Sequence, residues 1–172
     1  FYYDSKEDKN ILIFSNGFNT IIETYLPYIS YFASLGFVVY GYDYAGVGRS
    51  GGKNFKGMPQ AIVDLENCIK QIKKDNPNIS ITLVGHSMGA YASCNVLNLE
   101  CVDRVIAISP FNNIVDVVRD NIYNKLGKKI FLFPIIYRFI LYLKFKSYSM
   151  YNTFDTLKQT NNERAELPPF SL

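Results

Sequence analysis

The sequence predicts a doubly wound α/β fold, a mainly parallel sheet with helices on both faces. Two observations predict it. Four short segments are apolar on nearly every residue, which needs burial on both sides of a sheet. Those segments alternate with stretches of helical spacing, the order of parallel strands joined by right-handed crossovers.

The elements follow in order. Residues 10–15 (NILIFS) form a short strand ended by the Asn16-Gly17 turn signal. Residues 21–35 carry helical spacing, closed by Gly36 as a C-terminal cap. Residues 37–42 (FVVYGY) are the second strand, followed by a glycine-rich stretch over 45–52. Apolar residues at Ile62, Leu65, Cys68, Ile69 and Ile72 predict an amphipathic helix over 59–75 with its lysines outside. Residues 79–84 (ISITLV) are the third strand, 88–99 the next helix and 104–109 (RVIAIS) the fourth strand.

After Pro110 the pattern changes. Residues 112–126 read as one helix, and 130–145 (IFLFPIIYRFILYLKF) as a second that is apolar on nearly all sides, with Pro134 near its start. The expected organisation is a core over 1–110, a helical cap over 111–150 and a return segment over 151–172.

The totals exclude several classes. The chain has 172 residues, about one domain, and buries roughly 70% of its unfolded surface at that length. A net charge of +3 with scattered lysines gives no nucleic-acid footprint. No apolar run reaches a membrane span and no signal-like segment is visible. Three cysteines without CxxC spacing read as reduced, mostly buried thiols, which points to a cytoplasmic setting.

The strongest chemical signal is Gly85-His86-Ser87-Met88-Gly89. It follows a buried strand directly and opens an Ala-rich helix, the context of a nucleophile elbow. Such a turn strains the serine, so the residues two away must lack colliding side chains, and Gly85 and Gly89 do. The helix behind Ser87 aims free N–H groups and its positive end at the site of a developing oxyanion. The N–H of Met88 is one expected donor. A second must come from the loop after an earlier strand, and Asn16-Gly17-Phe18-Asn19 offers the N–H of Phe18.

Gly46-Val47-Gly48-Arg49-Ser50-Gly51 matches a dinucleotide fingerprint literally, but no helix opens at once behind its glycines. Gly52-Lys53 fails as a phosphate loop, with Val47 where glycine belongs and Asn54 where Ser or Thr belongs. The stretch is read as a tight surface turn, with Asp43 bonding its own backbone.

Three blocks in order carry a family likeness: the strand followed by Asn16-Gly17-Phe18, then Asp43-Tyr44-Ala45-Gly46-Val47-Gly48-Arg49-Ser50, then Gly85-His86-Ser87-Met88-Gly89. Over residues 11–110 the chain resembles the α/β-hydrolase superfamily, in particular its serine-aminopeptidase and monoacylglycerol-lipase-like branch. It departs from the family at Asn16, usually His, and at Ala45, usually Arg. The resemblance implies acyl transfer through Ser87, a small-molecule acyl substrate, and no metal or organic cofactor.

A serine nucleophile needs a base, in this family a histidine oriented by a carboxylate. The only histidine is His86, which adjoins the nucleophile and projects away from it, so a packing role is expected. In the family the acid and then the histidine follow later in the chain. Asp155 precedes any such strand, and Asp103, Asp116 and Asp120 read as surface or cap charges, so no triad acid is assigned. Phe1 in place of Met, and an end at Pro168-Pro169-Phe170-Ser171-Leu172 where the next strand is expected, predict a piece of a longer protein.

Three functions stay open: hydrolysis of carboxylic esters or thioesters, peptide hydrolysis, and a non-catalytic binding module. The apolar helix over 130–145 either lines an acyl-chain pocket, with membrane or lipid contact through 130–146, or is buried between cap and sheet.

Overall fold

A computed structural model describes residues 10–77, 79–97, 99, 101–126, 132–159 and 165–166. The expected helix start at 130–131, with Lys128 and Lys129 before it, and half of the return segment lie outside these residues.

Among the described residues five parallel strands form one sheet, β1 (Ile11–Ser15), β2 (Val38–Gly41), β3 (Ile81–His86), β4 (Val102–Ile108) and β5 (Ala165–Glu166), in the order β2-β1-β3-β4-β5. Alternate residues of β1 feed the two faces. Leu12 and Phe14 pack with Val39, Val84 and Ile29 on one side. Ile11 and Ile13 pack with Val38, Leu83, Ile62 and Leu65 on the other. Burial of every β1 residue thus follows from helices on both faces, as the unbroken apolar run requires.

Among the described residues six α-helices flank the sheet: α1 (Leu26–Ser34), α2 (Gln60–Asp75), α3 (Met88–Asn95), α4 (Ile114–Leu126), α5 (Phe133–Phe145) and α6 (Thr153–Gln159). The helix expected over 21–35 is split, with a 3-10 turn at Ile22–Tyr25 ahead of α1. Pro27 sits in the first turn of α1 and has no N–H to continue a preceding helix, so a new helix starts there. Gly36 ends it with φ +91°, the left-handed cap expected.

Helix α3 is buried on all eight residues and stops at Asn95, short of the expected 99. Asn95 turns its amide back to the Tyr91 carbonyl (2.8 Å) and accepts from Thr156 Oγ1 (2.9 Å), tying α6 to the end of α3. The return segment was expected to precede its next strand, yet Ala165–Glu166 already pairs with Val105–Ile106 of β4.

Helices α4 and α5 pack on each other. Ile114, Leu141 and Phe145 reach into the same core as α2 and α3. The rest of α5 is not enclosed: Ile135, Ile136, Phe139 and Leu143 are each more than half exposed.

Sheet order and register place the site. From β1 the chain crosses one way to β2, then returns past β1 to β3, so β1 and β3 flank the switch point where α/β sheets open a crevice. Ser15 stands opposite Gly85, which sets the turn after β1 beside the turn after β3.

Candidate active site

Ser87 leaves β3 with φ +52° and ψ −111°, a conformation that costs a non-glycine residue about 1–3 kcal/mol. Two contacts hold it there. Its N–H donates to the Ile108 carbonyl (2.9 Å), and its carbonyl accepts from Tyr91 N–H (2.9 Å) in the first turn of α3. The hydroxyl is not used as a helix cap, and the residue is half-buried.

The two glycines are dictated by space. A Cβ at Gly85 would collide with the Gly89 carbonyl group and the Ala90 nitrogen, and one at Gly89 with the Ser15 carbonyl. Helix α3 therefore crosses the end of β1 in backbone-to-backbone contact. The N–H of Met88, opening α3, has no intrahelical acceptor.

Four hydrogen bonds hold the turn that carries Phe18. Asn16 is fully buried and donates from Nδ2 to the Thr20 carbonyl (2.6 Å), so the residue standing where the family usually has histidine supplies its own loop bond. Thr20 Oγ1 donates to the Gly17 carbonyl (2.8 Å). Tyr44 donates to the Asn16 carbonyl (2.7 Å), and the Gly17 N–H donates to the Tyr25 hydroxyl (3.2 Å). Phe18 itself is exposed over half its surface. It forms part of one wall of a mostly apolar cleft of about 570 Å³, whose other walls include Phe55 and Met58, Val118 and Ile122 of α4, and Ile140 of α5.

His86 faces away from this opening. Its Nδ1 shares a hydrogen bond of 2.8 Å with the Tyr25 hydroxyl, which also accepts from Gly17 N–H. The packing role expected for His86 thus has a named partner. Tyr25 and Tyr44 were not singled out by the sequence reading. The only signal was a tyrosine eight residues after Gly17 and another 28 residues after Asn16, which no local pattern distinguishes.

Asp43 does not bond its own backbone. Its carboxylate accepts from Ile22 N–H (2.8 Å) and Arg49 N–H (3.0 Å), while its carbonyl accepts from Ser50 Oγ (2.5 Å). Gly48, at φ +53°, brings the loop over the carboxylate, where a Cβ would strike it. The glycine stretch closes on itself through Gly46 N–H to the Gly51 carbonyl (2.9 Å), and α2 opens only at Gln60.

The remaining acids lie where expected. Asp116 and Asp120 pair with Arg119 at 2.7 and 2.9 Å, Asp103 bonds Ser80, and Asp155 is exposed on α6. Burial pushes the Cys68 and Cys94 thiols up to about 12. Among the described residues no group of His, Cys, Asp and Glu could hold a metal ion, and no helix is long and apolar enough to cross a membrane.

Comparison with known proteins agrees with this geometry. A monoglyceride lipase homolog of Monkeypox virus is 33% identical over 96 residues, covering 52% of this chain and 34% of the viral protein. An esterase of Pyrococcus furiosus superposes with a TM-score of 0.69 at 23% identity, over 96% of this chain and 62% of its own. A monoacylglycerol lipase of Paleococcus ferrophilus superposes with a TM-score of 0.52 at 20% identity, over 73% of this chain and 51% of its own. The chain thus spans about a third of the viral relative and under two thirds of these structures. The sequence pattern of the family described as serine aminopeptidase, S33, matches residues 6–164. With an α/β-hydrolase sheet beneath that match, the chain belongs to the serine aminopeptidase S33 family of hydrolases.

Proposed function

We propose that the protein is a serine hydrolase that cleaves carboxylic esters or thioesters of apolar, lipid-like acyl groups through an acyl-Ser87 intermediate. The observation that carries this reading is the strained Ser87 backbone, held at φ +52° between two glycines that admit no Cβ. Ser87 Oγ attacks the acyl carbonyl and yields its proton to a base. The N–H groups of Phe18 and Met88 receive the charge that forms on the carbonyl oxygen. Collapse of the tetrahedral adduct expels the alcohol or thiol, which takes the proton back, and water then hydrolyses the acyl-serine.

His86, the single histidine, is engaged by Tyr25, so neither the base nor its orienting acid is assigned within these 172 residues. The 172-residue chain alone is therefore expected to turn over no ester. A fluorophosphonate reagent applied to the complete protein should label Ser87, and Ser87→Ala should remove both label and turnover. Ester turnover that survives Ser87→Ala would sink the reading. A panel of acyl esters against aminoacyl amides separates ester from peptide hydrolysis; the apolar cleft beside Phe18 favours esters.

In this reading residues 111–150 are a cap over the site. The exposed apolar residues of α5, with Lys144 and Lys146 at its end, favour peripheral contact with a lipid surface. Flotation with anionic vesicles tests it, with Phe139→Ser expected to reduce the bound fraction. A non-catalytic binding module is the second reading, favoured by the engagement of His86; a complete protein that fails to label at Ser87 would establish it over the first.

A further inference from the structure

Two consecutive peptide planes lead from β1 to the Phe18 N–H, and three hydroxyls hold them. The Asn16–Gly17 plane is gripped at both ends: its carbonyl accepts from Tyr44 and its N–H donates to Tyr25. The Gly17–Phe18 plane is gripped at its carbonyl, which accepts from Thr20 Oγ1. A trans peptide is rigid and its N–H points opposite to its C=O. Fixing the Gly17 carbonyl therefore fixes where the Phe18 N–H points.

The joint between the two planes is Gly17, the residue with the widest backbone freedom, and left alone it would let the second plane turn. A side chain at Gly17 would press on the clamp. A Cβ there would stand 3.1 Å from the Tyr25 hydroxyl and 3.2 Å from His86 Nδ1. Burial keeps Tyr44 protonated far above neutral pH, so its hydroxyl remains a donor.

We infer that Thr20, Tyr25 and Tyr44 are positioning residues that aim the Phe18 N–H at the oxyanion. The inference rests on the hydrolase reading above. Because His86 adjoins the nucleophile, Tyr25 also ties this loop directly to the elbow that carries the second N–H donor. Preorganised donors act on the transition state more than on bound substrate.

The test uses Thr20→Val, Tyr25→Phe and Tyr44→Phe in the complete protein, each change removing one hydroxyl from a side chain of nearly unchanged shape. Thr20→Val should lower kcat about ten-fold with KM within about two-fold, and the triple variant about a hundred-fold, approaching loss of one oxyanion donor. Affinity for a trifluoromethyl ketone, which forms an oxyanion on Ser87, should fall in the same proportion. Unfolding midpoints measured in parallel ensure that only folded protein is compared. Wild-type kcat in all three single variants, or a loss confined to KM, overturns the inference while leaving the hydrolase reading intact. Turnover that persists in Ser87→Ala overturns both.

Discussion

The backbone of Gly89 rests against the carbonyl of Ser15, so closely that no Cβ fits between them. This contact presses the first turn of α3 onto the end of β1 and so sets the distance between the elbow and the Phe18 turn. Gly89→Ala must push α3 off the strand, and overpacking of this kind costs about 2–3 kcal/mol. Gly51→Ala, where a Cβ meets nothing within 4 Å, should change stability by less than about 0.5 kcal/mol. Urea unfolding of the two variants gives the comparison, and equal midpoints would refute the steric account.

Asp43 is the second organiser, since its carboxylate serves two backbone N–H groups from distant parts of the chain. Asp43→Ala leaves both without an acceptor, at a cost of about 3 kcal/mol. Asp43→Asn keeps one acceptor oxygen and should lose about half as much. Chemical denaturation of the pair measures the ratio, and a neutral Asp43→Ala would show that water replaces the carboxylate.

Helix α5 is attached at its C-terminal end. Leu141 and Phe145 are buried, Lys144 Nζ donates to the Lys56 carbonyl (2.7 Å), and the following 3-10 turn places Tyr148 on Glu66 (2.9 Å). The Glu66 carboxylate and burial push the Tyr148 hydroxyl up to about 12, so it donates throughout the neutral range. Tyr148→Phe should cost about 1 kcal/mol and Leu141→Ala about 2–4 kcal/mol. Hydrogen exchange of α5 amides should accelerate in both variants while β1 and β3 keep their protection. Uniform acceleration across the sheet would show that the helix is part of one cooperative unit.

The strands and the elbow could be read from sequence because their causes are local. Burial on both faces writes itself as an apolar run in β1 and, broken only by Thr82, at the start of β3, and a turn that admits no Cβ demands Gly85 and Gly89 at fixed spacing. The hydroxyl clamp could not be read that way. Tyr44 lies 28 residues from Asn16, and Tyr25 lies 61 from His86, so only the register of β1 on its neighbours brings them together. The early stop of α3 has the same origin, since Asn95 is turned by Thr156 on α6. Asp43 fell between the two cases: its polar role was visible, but the distant N–H donors it accepts from, on Ile22 and Arg49, were not.

High pH should unfold the protein in a defined window. Burial raises the hydroxyls of Tyr42, Tyr44 and Tyr91 above their ordinary value of 10.0, and moves the thiols of Cys68 and Cys94 from 9.0 to about 12. Between those limits the unfolded chain releases protons that the folded chain retains, so stability falls as pH rises. It is fully present below about pH 9 and is lost progressively toward pH 12, with ionisation drawn from the unfolded side. Far-ultraviolet dichroism and tyrosinate absorbance near 295 nm should therefore show the buried tyrosines ionising in the same step as the loss of helix. Iodoacetamide at neutral pH should label Cys68 and Cys94 far more slowly than a free thiol, because the thiolate is the reactive form. Titration of all the tyrosines near pH 10 with the dichroism unchanged would mean that water reaches these side chains, and that the contact between the Tyr44 loop and the end of β1 is open in solution.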